Sequence, residues 1–132
     1  MENKLDSLTF KILREALGLT QVDLADRLEV NRRSVRRWED PDSGYPPPLG
    51  ISTIIEEKWG NFADRVAETL ELAEAMEDRG EPVTLIAYAD ELQCMTRTGL
   101  SLSEHRALLG HISMALTCGD FSYEIVTAPP GE

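Results

Sequence analysis

The sequence predicts a mainly α-helical protein that ends in a small α/β region. Apolar residues recur at helical spacing up to about residue 78. Turn-forming residues divide the first 60 positions into short segments. Two short stretches with β-strand character, 83–88 and 121–127, flank a further helical pattern. We therefore expect two parts: residues 1–60, built from helices, and residues 61–132, built from helices and a β-α-β arrangement.

The first two helices are predicted from their caps. Ser7 is the expected cap of a helix that runs to about Leu17 and ends before Gly18. Its apolar face is expected to consist of Leu8, Ile12, Leu13 and Ala16. Thr20 is the expected cap of a second helix, Gln21–Leu28, with Asp23 as its capping-box partner. The buried face of this helix is expected to consist of Val22, Leu24, Ala25 and Leu28.

The third and fourth helices lie on either side of a turn-rich segment, 40–48. Asn31 is expected to cap the third helix, which runs from Arg32 to about Glu39 and cannot continue past Pro41. The fourth helix is expected to end near Trp59. Its apolar stripe is Ile51, Ile54, Ile55 and Trp59.

The second half is predicted to begin with a separate helix over 62–78. Its apolar stripe is Phe62, Val66, Leu70, Ala73 and Met76, or Ala67 and Leu72 beside them. A strand over 83–88, a helix over 89–96, a helix capped by Ser103 and closed by Gly119, and a strand over 121–127 follow. A two-stranded sheet is marginal alone, so we expect residues 61–132 to form a homodimer.

Charge is distributed unevenly along the chain. The net charge is −11, but residues 61–132 carry −9 of it, while residues 7–38 carry 7 basic and 4 acidic side chains. A local basic face can bind nucleic acid while an acidic remainder limits non-specific binding. No apolar run is long enough to cross a membrane, and the first residues lack signal-peptide character. We therefore expect a cytoplasmic, nucleoid-associated protein without a membrane partner.

Arginine is concentrated on the third predicted helix. Only Glu29-Val30-Asn31 separates it from the second, and so short a turn makes the two helices cross steeply. Val30, Val35 and Trp38 are expected to face inward, which leaves the polar side chains outside. A DNA major groove accepts one α-helix, and arginine can bond guanine O6 and N7 together. The predicted DNA-binding residues are Thr20, Gln21, Asn31, Arg32, Arg33, Ser34, Arg36 and Arg37.

These residues resemble a known family. The pattern Gly18-Leu19-Thr20-Gln21, Leu24-Ala25, Val30-Asn31-Arg32 and Trp38-Glu39 is similar to that of Cro/C1-type (XRE, lambda-repressor-like) helix-turn-helix proteins. The resemblance implies a lambda-repressor-like bundle followed by a small α/β dimerisation region. It implies DNA contacts at the positions of Gln21, Arg32, Arg33, Ser34 and Arg36. The whole layout also resembles anti-CRISPR-associated repressors, which are dimeric autoregulators.

Two positions depart from the family pattern. Glu29 stands where glycine is usual, and a non-glycine residue with positive φ costs roughly 1 kcal/mol. The segment 40–48 is longer and more acidic than usual. Asp40 and Asp42 can weaken the affinity for DNA or discriminate against wrong sequences.

The sequence thus predicts a sequence-specific transcriptional regulator, a homodimeric repressor that reads the major groove of a partial palindrome with the helix Arg32–Trp38. The family resemblance implies that it also represses its own promoter. The alternative is an antitoxin-type protein whose acidic half binds a partner protein; an RNA target also stays open.

We expect no enzyme, cofactor or metal, because His105 and His111 lack a ligand set and are expected at the surface or at caps. Cys94 and Cys118 are expected to be buried thiols. Glu68, Glu71, Glu74 and Glu77 are expected to form a solvated acidic face.

Overall fold

A computed structural model describes residues 5–130. Six α-helices and two β-strands follow one another along the described chain. They are α1 (Ser7–Ala16), α2 (Gln21–Leu28), α3 (Arg32–Glu39), α4 (Leu49–Asp78), β1 (Val83–Ala87), α5 (Glu91–Thr98), α6 (Leu102–Cys118) and β2 (Tyr123–Thr127). A short 3₁₀ helix, Pro41–Ser43, follows α3. The chain divides into two compact units, Met1–Asn61 and Phe62–Glu132. The predicted fold class, mainly helical with a small α/β region, is confirmed.

Local side-chain bonds set the ends of the first three helices. Thr20 and Asp23 form a reciprocal capping box, in which each side chain accepts a hydrogen bond from the other residue's backbone N–H at 3.0 Å. Asn31 caps α3 by accepting the Arg33 N–H at 2.8 Å. Both predicted caps are confirmed. The cap of α1 was predicted wrongly: Asp6 caps it, because its carboxylate accepts the Thr9 N–H, and Ser7 lies buried inside the helix.

The buried face of α1 also differs from the prediction. Leu8 and Ile12 are 59% and 53% exposed, whereas Phe10 and Leu17 are completely buried. The helix is rotated in this way because its inward stripe holds Phe10, the largest apolar side chain of α1, together with a charged residue, Arg14. Apolar spacing alone did not identify this stripe. On α2, Leu24 and Ala25 are buried as predicted, but Val22 is 43% exposed.

The fourth helix does not end near Trp59. One helix runs continuously from Leu49 to Asp78, where two were predicted. Gly60 is a poor helix former, costing about 1 kcal/mol relative to alanine, but no proline follows it and the helical pattern resumes at once. The inward stripe contains Phe62 and Ala73, and the four glutamates at 68, 71, 74 and 77 are exposed as predicted.

The second unit contains a parallel pair of strands. β1 pairs with β2 in a register that places Leu85 opposite Ile125. Parallel strands require a crossover connection, which α5 and α6 supply. Val83 and Leu85 of β1 are buried, whereas every residue of β2 is exposed or half-buried. The sheet of the described residues has these two strands alone.

Three side chains of the second unit differ from expectation. Ser101, not Ser103, caps α6 in a capping box with Glu104. Cys118 is exposed because it is the last residue of α6, while Cys94 is buried as predicted. His105 is neither a surface nor a capping residue: it is 7% exposed and packs edge-on against Tyr88, with ring centroids 5.3 Å apart.

We predict that burial of His105 makes the second unit less stable in acid. Its Nδ1 has no hydrogen-bond partner among residues 5–130. Burial lowers the pKa of His105, and the positive charge of Arg65 lowers it further. The unfolded chain therefore takes up a proton as the pH falls below about 6.5, whereas the folded chain takes it up only at a lower pH. The free energy of unfolding should be highest above this pH and should fall below it, by at most about 1.4 kcal/mol per pH unit from this residue.

Thermal unfolding of wild-type and His105→Gln protein between pH 7.5 and pH 5 measures this contribution. The variant should lose less stability on acidification than the wild type. Equal pH dependence in the two proteins would show that His105 is not the group responsible.

Candidate nucleic-acid interface

The exposed face of α3 is cationic. Arg32, Arg33, Arg36 and Arg37 are all exposed, and Ser34 is half-buried. The opposite face is fixed by Val35, which is completely buried, and by Trp38, whose ring meets Phe10 edge-on at 6.1 Å. The helix therefore holds one side against the core and presents four guanidinium groups on the other. This is the arrangement that the sequence predicted for α3.

A buried ion pair joins α1 to the end of α3. The Arg14 Nε donates to Glu39 Oε2, and Arg14 Nη2 donates to Glu39 Oε1 at 3.0 Å. Arg14 Nη1 also donates to the carbonyl of Leu19 at 2.7 Å. The side chains of Arg14 and Glu39 are only 8% and 4% exposed. A bidentate pair of this kind fixes both direction and distance, so it locks α3 and the α1–α2 turn to one position.

Gln21 belongs to the same network. Its side-chain amide donates to Glu39 Oε1 at 2.9 Å, so Glu39 is bonded to residues of both preceding helices. Gln21 was predicted to contact DNA. One of its two amide hydrogens serves Glu39, and the second is available to an acceptor outside the bundle. The Arg14–Glu39–Gln21 network could not be predicted from the sequence, because polar residues 25 positions apart have no periodic signal.

The turn between α2 and α3 consists of the three residues that the sequence predicted, since α2 ends at Leu28 and α3 begins at Arg32. Glu29 takes a left-handed conformation, with φ 54° and ψ 43°, so the strain expected at this non-glycine position is present. The N–H of Val30 donates to the carbonyl of Ala25 at 3.0 Å and closes the end of α2. Ala25 is buried at this point, where a larger side chain would keep the helices apart.

The two predicted contact residues that cap helices lie at helix N-termini. Thr20 and Asn31 are both exposed. Their oxygens accept backbone N–H groups, as the capping bonds above show. The Thr20 hydroxyl hydrogen and the Asn31 amide hydrogens can still donate to an acceptor. Exposed donors at a helix N-terminus favour an anionic ligand at that position.

The segment after α3 adds two residues that the sequence analysis missed. The Ser43 hydroxyl lies 2.7 Å from the carbonyl of Arg37 and 2.9 Å from that of Asp40, and it accepts the Tyr45 N–H at 3.1 Å. The Tyr45 ring lies under Arg37, with the guanidinium carbon 5.2 Å from the ring centroid. Tyr45 thus holds one of the four arginines in place. The sequence signal that could have indicated this contact is the aromatic residue, Tyr45, between Gly44 and Pro46.

A shallow cleft of about 270 Å³ lies at this end of α3. It is lined by Arg33, Arg36, Arg37, Asp40 and Ser43. Three guanidinium groups around a small cleft suit a phosphate oxygen, and Asp40 places one negative charge at its edge. Among residues 5–130, no three His, Cys, Asp or Glu side chains are grouped so that they could hold a metal ion. None of the helices among residues 5–130 is long and apolar enough to span a membrane.

Comparison with known proteins agrees with this geometry. Residues 10–39 match the family described as Helix-turn-helix, so the resemblance to Cro/C1-type helix-turn-helix proteins is confirmed. A 72-residue stretch is 39% identical to a protein of Archaeoglobus fulgidus named "Putative HTH-type transcriptional regulatory protein". That stretch covers 54% of this chain and 22% of the relative. The resemblance of the layout to anti-CRISPR-associated repressors stays a prediction.

We predict that Glu39→Gln destabilises the first unit. The substitution removes the negative charge and leaves the Arg14 guanidinium buried without a counter-charge. Breaking a buried pair in this way costs about 3–5 kcal/mol. Urea-induced unfolding of the variant measures the loss. Glu15→Gln, on the exposed side of α1, is the control and should change the free energy of unfolding by less than about 0.5 kcal/mol.

A second variant distinguishes the charge effect from loss of packing. Replacing both partners, Arg14→Met with Glu39→Leu, removes the isolated charge and should restore much of the stability. A Glu39→Gln protein as stable as the Glu15→Gln protein would contradict the structural role of the pair.

Proposed function

We propose that this helix-turn-helix protein is a transcriptional regulator that binds double-stranded DNA by placing α3 in the major groove. The observation that carries the proposal is the set of four exposed arginines on one short helix whose opposite face is buried. An α-helix fits the major groove, where base edges differ between base pairs. The Archaeoglobus relative, named as a regulatory protein of the same type, supports the regulatory part of the proposal.

The residues of α3 divide by position. Arg32, Arg33 and Ser34 are in its first turn, the part of a recognition helix that meets base edges in this geometry. Arg36 is one turn further along the same exposed side. These four residues are proposed to read bases. Arg37 lies over the Tyr45 ring, beside the segment 40–48 that follows α3. It is therefore proposed to contact a phosphate and not a base.

The N-terminal end of α2 is proposed to bind the sugar-phosphate backbone. Thr20 and Gln21 provide side-chain donors there, and the helix dipole favours an anion at this end. Asn31 is proposed to contribute from the N-terminus of α3. Phosphate contacts of this kind fix the register of the protein on the duplex without carrying sequence information.

A single helix of this type reads few base pairs. We therefore propose that the protein acts as a homodimer joined through residues 61–132, with half-sites about 10 base pairs apart in a partial palindrome. Its role is proposed to be repression, including that of its own promoter. The acidic second half, with net charge −9, would limit non-specific attraction to DNA.

We predict that the triple variant Arg32→Ala/Arg33→Ala/Arg36→Ala loses specific binding. Each base-reading arginine contributes about 1–3 kcal/mol, so the loss should be at least about a hundredfold. The measurement is binding to the preferred site, selected from random DNA by the wild-type protein, at one fixed salt concentration. The control is Arg79→Ala, an exposed arginine of the second unit, which should bind like the wild type. Wild-type affinity in the triple variant would exclude α3 as the reading helix.

We predict a different effect for Arg37 and Tyr45. Arg37→Ala should weaken binding to all sequences alike and reduce the slope of log K against log salt by about 1, because one phosphate contact is lost. Tyr45→Ala should weaken binding a few-fold, since an exposed cation–π contact is worth about 0.5–1 kcal/mol. Tyr45→Phe retains the ring and should bind like the wild type. Equal losses in the two tyrosine variants would contradict positioning by stacking.

A further inference from the structure

We propose that the free edge of β2 is the site where a second copy of this chain joins, antiparallel, to form a four-stranded sheet. This inference rests on the homodimer of the proposed function and specifies its contact. Among residues 5–130, β2 has one neighbouring strand, β1, so no strand is paired with its other edge. An edge strand with unpaired backbone groups is a template for another strand.

The hydrogen-bond pattern shows which residues of β2 face away from β1. The N–H of Val83 donates to the carbonyl of Ser122, and the N–H of Ala128 donates to the carbonyl of Ala87. Backbone groups alternate in direction along a strand. Positions 122, 124, 126 and 128 therefore bond to β1, and Tyr123, Ile125 and Thr127 direct their N–H and C=O groups to the open edge. Three consecutive outward positions are enough for a short ladder.

The side chains on this strand are incompletely covered. Ile125 is 51% exposed and Val126 is 39% exposed, as is Ile86, the β1 partner of Val126. These apolar side chains lie on both faces of the sheet, so a partner strand at the edge would cover some of each. The edge of β1 is a poorer template, because its outward-facing positions include Pro82, which has no N–H to donate.

A second copy fits this edge in one register better than in its neighbours. When the two-fold axis passes through Ile125, Tyr123 lies opposite Thr127 of the other copy and all three outward positions exchange bonds. This gives about six backbone hydrogen bonds, two for each such pair. Glu124 then lies opposite Val126. A shift of the axis to position 124 would place two Glu124 carboxylates opposite each other, which is unfavourable.

The ends of the strand limit the contact to this length. The carbonyl of Pro129 accepts a hydrogen bond from the buried Gln93 side chain at 2.9 Å, which holds the chain after β2 in place. Pro129 and Pro130 have no N–H to donate, so pairing cannot extend beyond Ala128. A short self-complementary edge suits one partner strand and does not favour open-ended stacking.

Disulfide trapping in the full-length chain tests the register. Ile125→Cys is made together with Cys118→Ser, because Cys118 is the exposed native thiol. Residues opposite each other in a hydrogen-bonded antiparallel pair have Cα atoms about 5.5 Å apart, within disulfide range. Mild oxidation should give a covalent dimer on a non-reducing gel. The matched control is Leu92→Cys in the same background, which is 75% exposed on α5 and should stay largely uncrosslinked.

A charge substitution tests the same edge in solution. Ile125→Lys places two ammonium groups next to each other across the axis, so light scattering should report a monomer. Leu92→Lys should form a dimer like the wild type in the same measurement. Far-UV circular dichroism checks that Ile125→Lys has folded. If this variant does not fold, the disulfide trapping at position 125 tests the β2 contact instead.

The outcomes separate this inference from the proposed function. A dimer that survives Ile125→Lys, or that crosslinks at position 92 and not at 125, overturns the β2 contact and leaves the homodimer standing. A wild-type chain that stays monomeric at its highest soluble concentration overturns both. Loss of DNA binding in the α3 arginine variant is a separate measurement and does not depend on either result.

Discussion

The first unit depends on one buried interaction, the bidentate pair of Arg14 with Glu39. Both charges are removed from water, which is unfavourable unless each is fully bonded. Here Arg14 also bonds the Leu19 carbonyl, and Glu39 also accepts from Gln21. Because the pair requires good geometry, it connects α1, the turn before α2 and the end of α3 in one arrangement. The arginines of α3 are presented outward from that fixed base.

The arrangement keeps two kinds of arginine apart. Arg14 is buried and serves the fold, whereas the four arginines of α3 are exposed and serve the proposed DNA contact. Arg37 differs from the other three because Tyr45 lies against it and Ser43 ties the loop to its carbonyl. The loop after α3 is therefore part of the surface that positions the cationic groups, and its aspartates add negative charge at the edge.

The second unit has a different physical character. Its helices bury apolar side chains together with three polar ones, Gln93, Glu104 and His105. Among the described residues its sheet has two strands, and no residue of β2 is fully buried. A small parallel sheet with an open edge is less well satisfied than the bundle of the first unit. Pairing of β2 with a second copy would cover Ile125 and use the outward backbone groups. The same contact would give the two reading helices that a palindromic site requires.

The sequence by itself determined the elements whose signals are local. Capping residues such as Thr20 and Asn31, the short turn at Glu29 and the cluster of arginines predicted α2 and α3 with the bounds observed, because each signal lies within a few residues. Only the tertiary structure decided what depends on distant partners. It joined Arg14 to Glu39, turned Leu8 and Ile12 outward, buried His105 and carried α4 through Gly60. Local patterns cannot show such features, since packing against residues far along the chain sets their free energy.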